Sequence, residues 1–402
     1  MGSLEEPLAV LGLLLIGGAL LAGLARRSFL SLTALFVLSG FALGEGGLEV
    51  LEFDARSGFV TVLALVALIL ILFRDGLEVE AEMLQTAWHL PLLKLVLAMP
   101  ITAALVACAT NGLTDLSWTE SFLVGALLSP TDPVLSSSVI TNPRVPRLIR
   151  HSLNLESGLN DGLALPAVLA FTAALEADND FVWWRFVLQD VSLGFATGVA
   201  IGFLAARLMP RGRALGVEVT AHQKALYALG AAFAAYGIAV LEPEANGFIA
   251  VFVCAISLGI LRPDIRECFE VRSEDLIEVV KLGIFVVFGA LLTTDVLFEE
   301  GWAAVGIVAF ALLVARPVAV FVPLAGTRQV GRDGKAFMAW FGPKGVATMT
   351  FSLFALTSGA TDAERIFGIA ALAVLVSIVA HGISDQPGSE WIARRAEARS
   401  TA

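Results

Sequence analysis

The sequence predicts an all-α polytopic membrane protein, on three observations. Apolar residues make up 57% of the 402-residue chain and charged residues only 16%, against about 25% charged in soluble domains. Long apolar runs recur along the whole length, separated by short connections. Two of those runs are interrupted in mid-course by proline and glycine, at positions that correspond if the chain is divided into halves. The composition excludes a soluble globular enzyme, a disordered chain and a disulfide-rich secreted module. A net charge of −11 argues against a nucleic-acid partner. Cys108, Cys254 and Cys268 are scattered, with no metal-ligand spacing, and read as free thiols. No sequence feature calls for a cofactor.

A helix crosses the bilayer with about 20 apolar residues. Thirteen stretches qualify: 7–24, 29–44, 59–74, 89–110, 120–138, 155–176, 183–208, 223–241, 246–261, 274–293, 302–324, 336–357 and 364–382. The first has no basic flank or cleavage site and reads as a span, not a removable signal. Most Lys and Arg residues fall in alternate connections, among them Arg26, Arg27, Arg144, Arg147, Arg150, Arg262, Arg328 and Arg394. The other connections are acidic, with Glu45, Glu52, Asp178, Glu242 and Glu299. The positive-inside rule then places the N-terminus outside and the C-terminus in the cytoplasm. An odd number of spans requires opposite termini, which agrees. The broken spans correspond if spans 1–6 (about 7–176) and 8–13 (about 223–382) are two repeats. Span 7 (183–208) links them and inverts the second, and a tail follows at 383–402.

The fifth span reads Ser129-Pro130-Thr131-Asp132-Pro133 between apolar flanks. Two prolines within four residues remove amide donors and disfavour helix before them. Unwound backbone at that depth is tolerated only where it lines protein or water. Its carbonyls are then available to a cation, and half-helix dipoles converge on the gap. The alternative is a simple proline kink, with Asp132 capping the second half-helix. The twelfth span is interrupted alike at Phe341-Gly342-Pro343-Lys344-Gly345. Paired broken spans point to a secondary-transporter site.

The sixth span opens Glu156-Ser157-Gly158-Leu159-Asn160-Asp161-Gly162. Glu156 and Asn160 share one helix face, and Ser157 and Asp161 the adjacent one. These oxygens are hard ligands suited to an alkali cation. The bland reading makes Glu156 a helix cap and Asp161 a hydrogen-bonded core acid. Two acids inside a span are costly without a role. The basic residues Lys281, Arg316 and Lys344 also fall within spans and need a cavity or a carboxylate partner.

These residues resemble the monovalent cation:proton antiporter family, and its sodium/proton exchanger (NhaP-like) branch in particular. The Thr-Asp-Pro and Glu-Ser-Gly-Leu-Asn-Asp-Gly elements between Ser129 and Gly162 carry the resemblance. Leu72-Phe73-Arg74-Asp75-Gly76-Leu77, Asn246-Gly247-Phe248-Ile249-Ala250-Val251 and Trp340-Phe341-Gly342-Pro343-Lys344-Gly345 extend it. The resemblance implies thirteen spans in inverted repeats, with helices 5 and 12 crossing in a mobile core domain, and a homodimer. It implies exchange of Na+ or Li+ for H+ across the plasma membrane, serving pH homeostasis. Asp161 is the expected ion- and proton-binding carboxylate, with Asp132, Thr131, Ser157, Glu156 and Asn160 completing the cation site. Asn in place of a second acid before Asp161 implies electroneutral exchange. The family usually has arginine at Lys344, paired with the glutamate at Glu156, so Lys344 is the expected partner of Glu156. Alternatives are a K+/H+ antiporter of the same fold and, further off, a cation channel. No His-Glu-x-x-His element and no phosphate-binding loop is present, so a transporter rather than an enzyme is expected.

Overall fold

The computed structural model describes residues 32–79, 94–132, 142–176, 181–210, 219–241, 245–327 and 330–400, with a few positions besides. Helices lie on each expected span from the second to the thirteenth. The first expected span, 7–24, falls almost wholly outside the described residues. Seven of the described helices are long and apolar enough to cross a bilayer by themselves. The others are short or interrupted. A two-residue hairpin, Arg213–Ala214 against Val217–Glu218, is a small exception to the all-helical fold.

Several helices run past the limits that hydropathy sets. The third span is Gly58–Leu77, opened by Ser57, whose side chain accepts the Val60 amide. The sixth is Arg147–Leu175, starting eight residues earlier than its apolar run. The tenth is Pro263–Ala290 and the last is Ala363–Ser400. The reason is common to all: hydropathy marks the apolar stretch, while helix continues through polar residues until a cap or a proline ends it. In the last helix this carries the expected tail, as far as Ser400, into regular structure. Ile392 is buried there beside Val139, Val145, Ile149 and Phe337.

Close backbone approach through small residues organises the packing. Gly194, Gly198 and Gly202 of the linker face the ninth helix, Gly247–Leu261. A side chain at Gly198 would meet the Ala250 carbonyl, and one at Gly202 the Cys254 carbonyl. This is the small-residue packing that membrane helices use in place of a hydrophobic drive. The ninth and tenth helices turn by 119° at Arg262, because Pro263 has no amide to extend the ninth. Arg262 is not a solvated loop residue. Its buried guanidinium donates to the carbonyls of Ala206 and Met209 at 3.1 and 2.6 Å, and so caps the C-terminal end of the linker.

The two interrupted spans position the site. The fifth runs Trp118–Leu127, held at its start by a Ser117–Glu120 capping box, and then leaves helix through Ser129–Asp132. The twelfth runs Arg332–Trp340, leaves helix over 341–345, and resumes as Val346–Thr357. The Asp132 amide donates to the Pro343 carbonyl at 2.8 Å, so the two gaps cross at their unwound centres.

Candidate functional site

At the crossing each gap supplies the charge that the other needs. The Asp132 carboxylate accepts the Val346 amide at 3.0 Å. It thereby caps the positive end of Val346–Thr357, while the second half of its own span lies outside the described residues. Lys344 donates from Nζ to the Pro130 carbonyl at 3.0 Å. Its ammonium therefore sits at the carbonyl-rich end of the first gap, where a cation is favoured. A side chain at Gly345 would strike the Asp132 carboxylate, so glycine is required for this approach. Thr348 Oγ1 adds a bond to the Leu127 carbonyl at 3.0 Å.

Arg316 makes the ion pair expected of Lys344: its Nη2 lies 2.6 Å from Glu156 Oε1, with both side chains buried. Lys344, fully buried, donates to Pro130, and Glu156 is near enough to act on it electrostatically. The geometry explains how Arg316 reaches Glu156. Arg316 follows a widened π-helical turn, Ala311–Ala315, which re-aims the helix face just before it. Gly342 leaves room for its guanidinium, since a Cβ there would lie 2.7 Å from Arg316 Nε. Glu156 sits nine residues inside its helix, so it does not cap the start.

Asn160 joins the sixth helix to the first gap. Its Nδ2 donates to the Thr131 carbonyl at 2.6 Å and to Thr131 Oγ1 at 3.0 Å. Its Oδ1 is buried and has no hydrogen-bond partner among the described residues. An orphaned buried acceptor is costly, and beside the hard oxygens of Thr131 and Asp132 it fits a cation or its water. Asp161 is buried on the same helix, with Asp132 close enough to act on it electrostatically. The Ser157 side chain lies outside the described residues.

The structure adds Asp75 to this group. Its carboxyl is buried and within hydrogen-bonding reach of Asp161. Arg74 holds it, donating from Nη2 to Oδ1 at 2.6 Å. The expected third span stops at residue 74, which places Asp75 at the membrane surface. The helix continues to Leu77 and carries it inward. The signal was the charged Arg74-Asp75 pair directly against an unbroken apolar run. Arg74 also borders a cleft of about 300 Å3, lined by Glu78, Glu270, Glu274, Glu278 and Lys281. Lys281 thus lies in the wall of that cleft and not at the crossing itself. Among the described residues, no three His, Cys, Asp or Glu side chains converge as a metal cage.

The family model for sodium/hydrogen exchanger, transmembrane, matches residues 12–391. The chain belongs to the sodium/hydrogen exchanger family. Within the family it is 24% identical to a K(+)/H(+) antiporter NhaP of Alkalimonas amylolytica, over 98% of this chain and 68% of that one. It is 25% identical to a K(+)/H(+) antiporter NhaP2 of Shewanella oneidensis, over 91% of this chain. It spans 63% of the length of that relative. A probable Na(+)/H(+) antiporter 2 of Methanocaldococcus jannaschii is 23% identical over 87% of this chain and 84% of that one. The fold is that of the solved sodium proton antiporter MjNhaP1 from Methanocaldococcus jannaschii. That structure superposes with a TM-score of 0.81 and 18% identity, over 97% of this chain and 98% of that one.

Proposed function

We propose that this chain is a secondary active antiporter that exchanges Na+ or Li+ for H+, one for one, at Asp161. The observation that carries the proposal is the division of charge at the crossing. Glu156 is paired with Arg316, Asp132 caps a helix end, and the Lys344 ammonium donates to a gap carbonyl. Asp161 makes no ion pair with any described residue; the carboxyls of Asp75 and Asp132 and the guanidinium of Arg74 bear on it. One carboxylate takes a proton or a cation, not both. Loaded with either, the site is neutral and crosses the apolar barrier; empty, it is held back by the cost of burying its charge. Exchange is then obligatory without a chemical step.

Thr131, Asp132, Asn160 and Asp161 supply the cation ligands in this reading, with Ser157 and Glu156 beside them. Arg316 and Lys344 hold the crossing in register. The electroneutral stoichiometry rests on Asn160. The basic connections favour a cytoplasmic C-terminus in the plasma membrane, and family membership favours a homodimer. K+ in place of Na+ is the second reading, favoured by the names of the NhaP and NhaP2 relatives.

The test is a pH-sensitive dye in proteoliposomes, with pulses of Na+, Li+ and K+ applied in turn. Saturable alkalinisation with Na+ or Li+ is expected. A response to K+ alone moves the assignment to the second reading, and flux that follows voltage without proton counterflow points to a channel.

A further inference from the structure

His381 lies in the last helix, one turn after Ser377. Its Nε2 is 2.9 Å from the carbonyl of Trp340, the last residue of the half-helix Arg332–Trp340. Its Nδ1 is 3.0 Å from Ser377 Oγ and 2.9 Å from the Ser377 carbonyl. Ser377 Oγ in turn accepts the backbone amide of Lys344 at 2.7 Å. Ser377, His381 and Lys344 are all buried. A hydroxyl that accepts one hydrogen bond still has a hydrogen to give. Given to Nδ1, it requires a neutral ring with its hydrogen on Nε2, and that hydrogen is what the Trp340 carbonyl accepts. Assigned from the network in this way, one directional chain runs from the Lys344 amide through Ser377 and His381 to Trp340. Its two ends are the two lips of the gap in span 12. Trp340 makes a second tie to the same helix, donating from Nε1 to Ser384 Oγ at 2.8 Å.

We infer that His381 and Ser377 are positioning residues. They bolt the unwound segment 341–344 to the last helix and so set where the Lys344 ammonium meets the Pro130 carbonyl. Neither touches the transported ions. The inference rests on the proposed exchange for its transport readout, but the bolt itself is a matter of hydrogen bonding.

The direction of the middle link depends on the protonation of one ring. The charged groups that bear on His381 from other elements are Arg316 of span 11 and Lys344 of the gap. Asp385 lies one turn further along its own helix. A second ring proton would turn Nδ1 to the Ser377 carbonyl and deprive the Ser377 hydroxyl of its acceptor. It would also place a third cation beside Arg316 and Lys344. The Nε2 bond to Trp340 and the Lys344 amide bond to Ser377 Oγ survive that change.

The transport test uses Ser377→Ala, Ser377→Thr and His381→Gln in proteoliposomes, across a range of pH. Ser377→Ala should raise the half-saturating cation concentration roughly five-fold, the equivalent of one net hydrogen bond. Ser377→Thr, which keeps the hydroxyl, should restore it. His381→Gln, which removes the ring that bridges Ser377 and Trp340, should raise the half-saturating concentration as Ser377→Ala does. Wild-type half-saturation in Ser377→Ala or in His381→Gln, or no rescue by threonine, overturns the inference. The independent arm is 15N imidazole NMR of the protein in lipid, with His89, His151 and His222 replaced. A neutral ring protonated on Nε2 is expected, and protonation on Nδ1 overturns the bolt. If wild-type vesicles move no protons on cation addition, the exchange proposal fails, while the NMR result still decides this one.

Discussion

Arg316 and Asp132 show how differently two buried charges act at one crossing. Arg316 neutralises Glu156 from a neighbouring span, at 2.6 Å and away from water. Removing one partner of such a pair leaves a bare charge, at a cost of about 3–5 kcal/mol. Arg316→Ala is therefore expected to lower thermal stability in detergent sharply. Arg316→Ala combined with Glu156→Gln should recover much of the loss, and a double variant no better than the single would contradict the pairing. Asp132 combines a cap with a charge. Asparagine keeps the acceptor that the Val346 amide needs, and asparagine and aspartate cap helices about equally well. Asp132→Asn should therefore fold with stability within about 1 kcal/mol of the parent, while binding the cation less tightly. A melting curve and a cation titration of the same sample separate the two roles.

The last helix is the element that departs furthest from a simple span. It continues to Ser400, and its far end packs on the core through Ile392, only 3% exposed. Gly388 lies against the Phe341 ring of the span 12 gap. The exposed Arg144–Glu397 pair adds little, as solvated ion pairs do. Ile392→Ala is expected to cost about 2–4 kcal/mol, whereas Glu397→Gln should leave the melting temperature nearly unchanged. Equal effects would show that the tail is not docked as described. The sequence makes the interrupted elements legible because proline and glycine act locally: the gaps at Ser129–Asp132 and at 341–345 fall where the residues require them. It does not show where helices end, because Leu77, Arg147 and Ser400 lie beyond the apolar runs that hydropathy reads. Asp75 lies past the same limit. Nor does it show which cation meets Glu156, because Lys344 and Arg316 both lie within spans. The choice between them depends on a π turn and on the space beside Gly342.

For the whole molecule, the account requires one site to serve two ions in turn. The exchange rate should then fall at both ends of the pH range. Protons outcompete the cation in acid, and in alkali they become too scarce to load the return step. Raising the cation concentration should recover the rate on the acid side but not on the alkaline side, and a profile that cation concentration does not move would contradict competition at a shared carboxylate. The claim stands most directly on Asp161, whose replacement by asparagine removes the exchangeable charge and keeps the shape. The decisive measurement is cation-driven proton movement in proteoliposomes containing purified Asp161→Asn protein, with its folding checked by melting temperature. The account predicts a folded protein with no exchange at any pH, and retained Na+-, Li+- or K+-driven proton movement in that variant would contradict it.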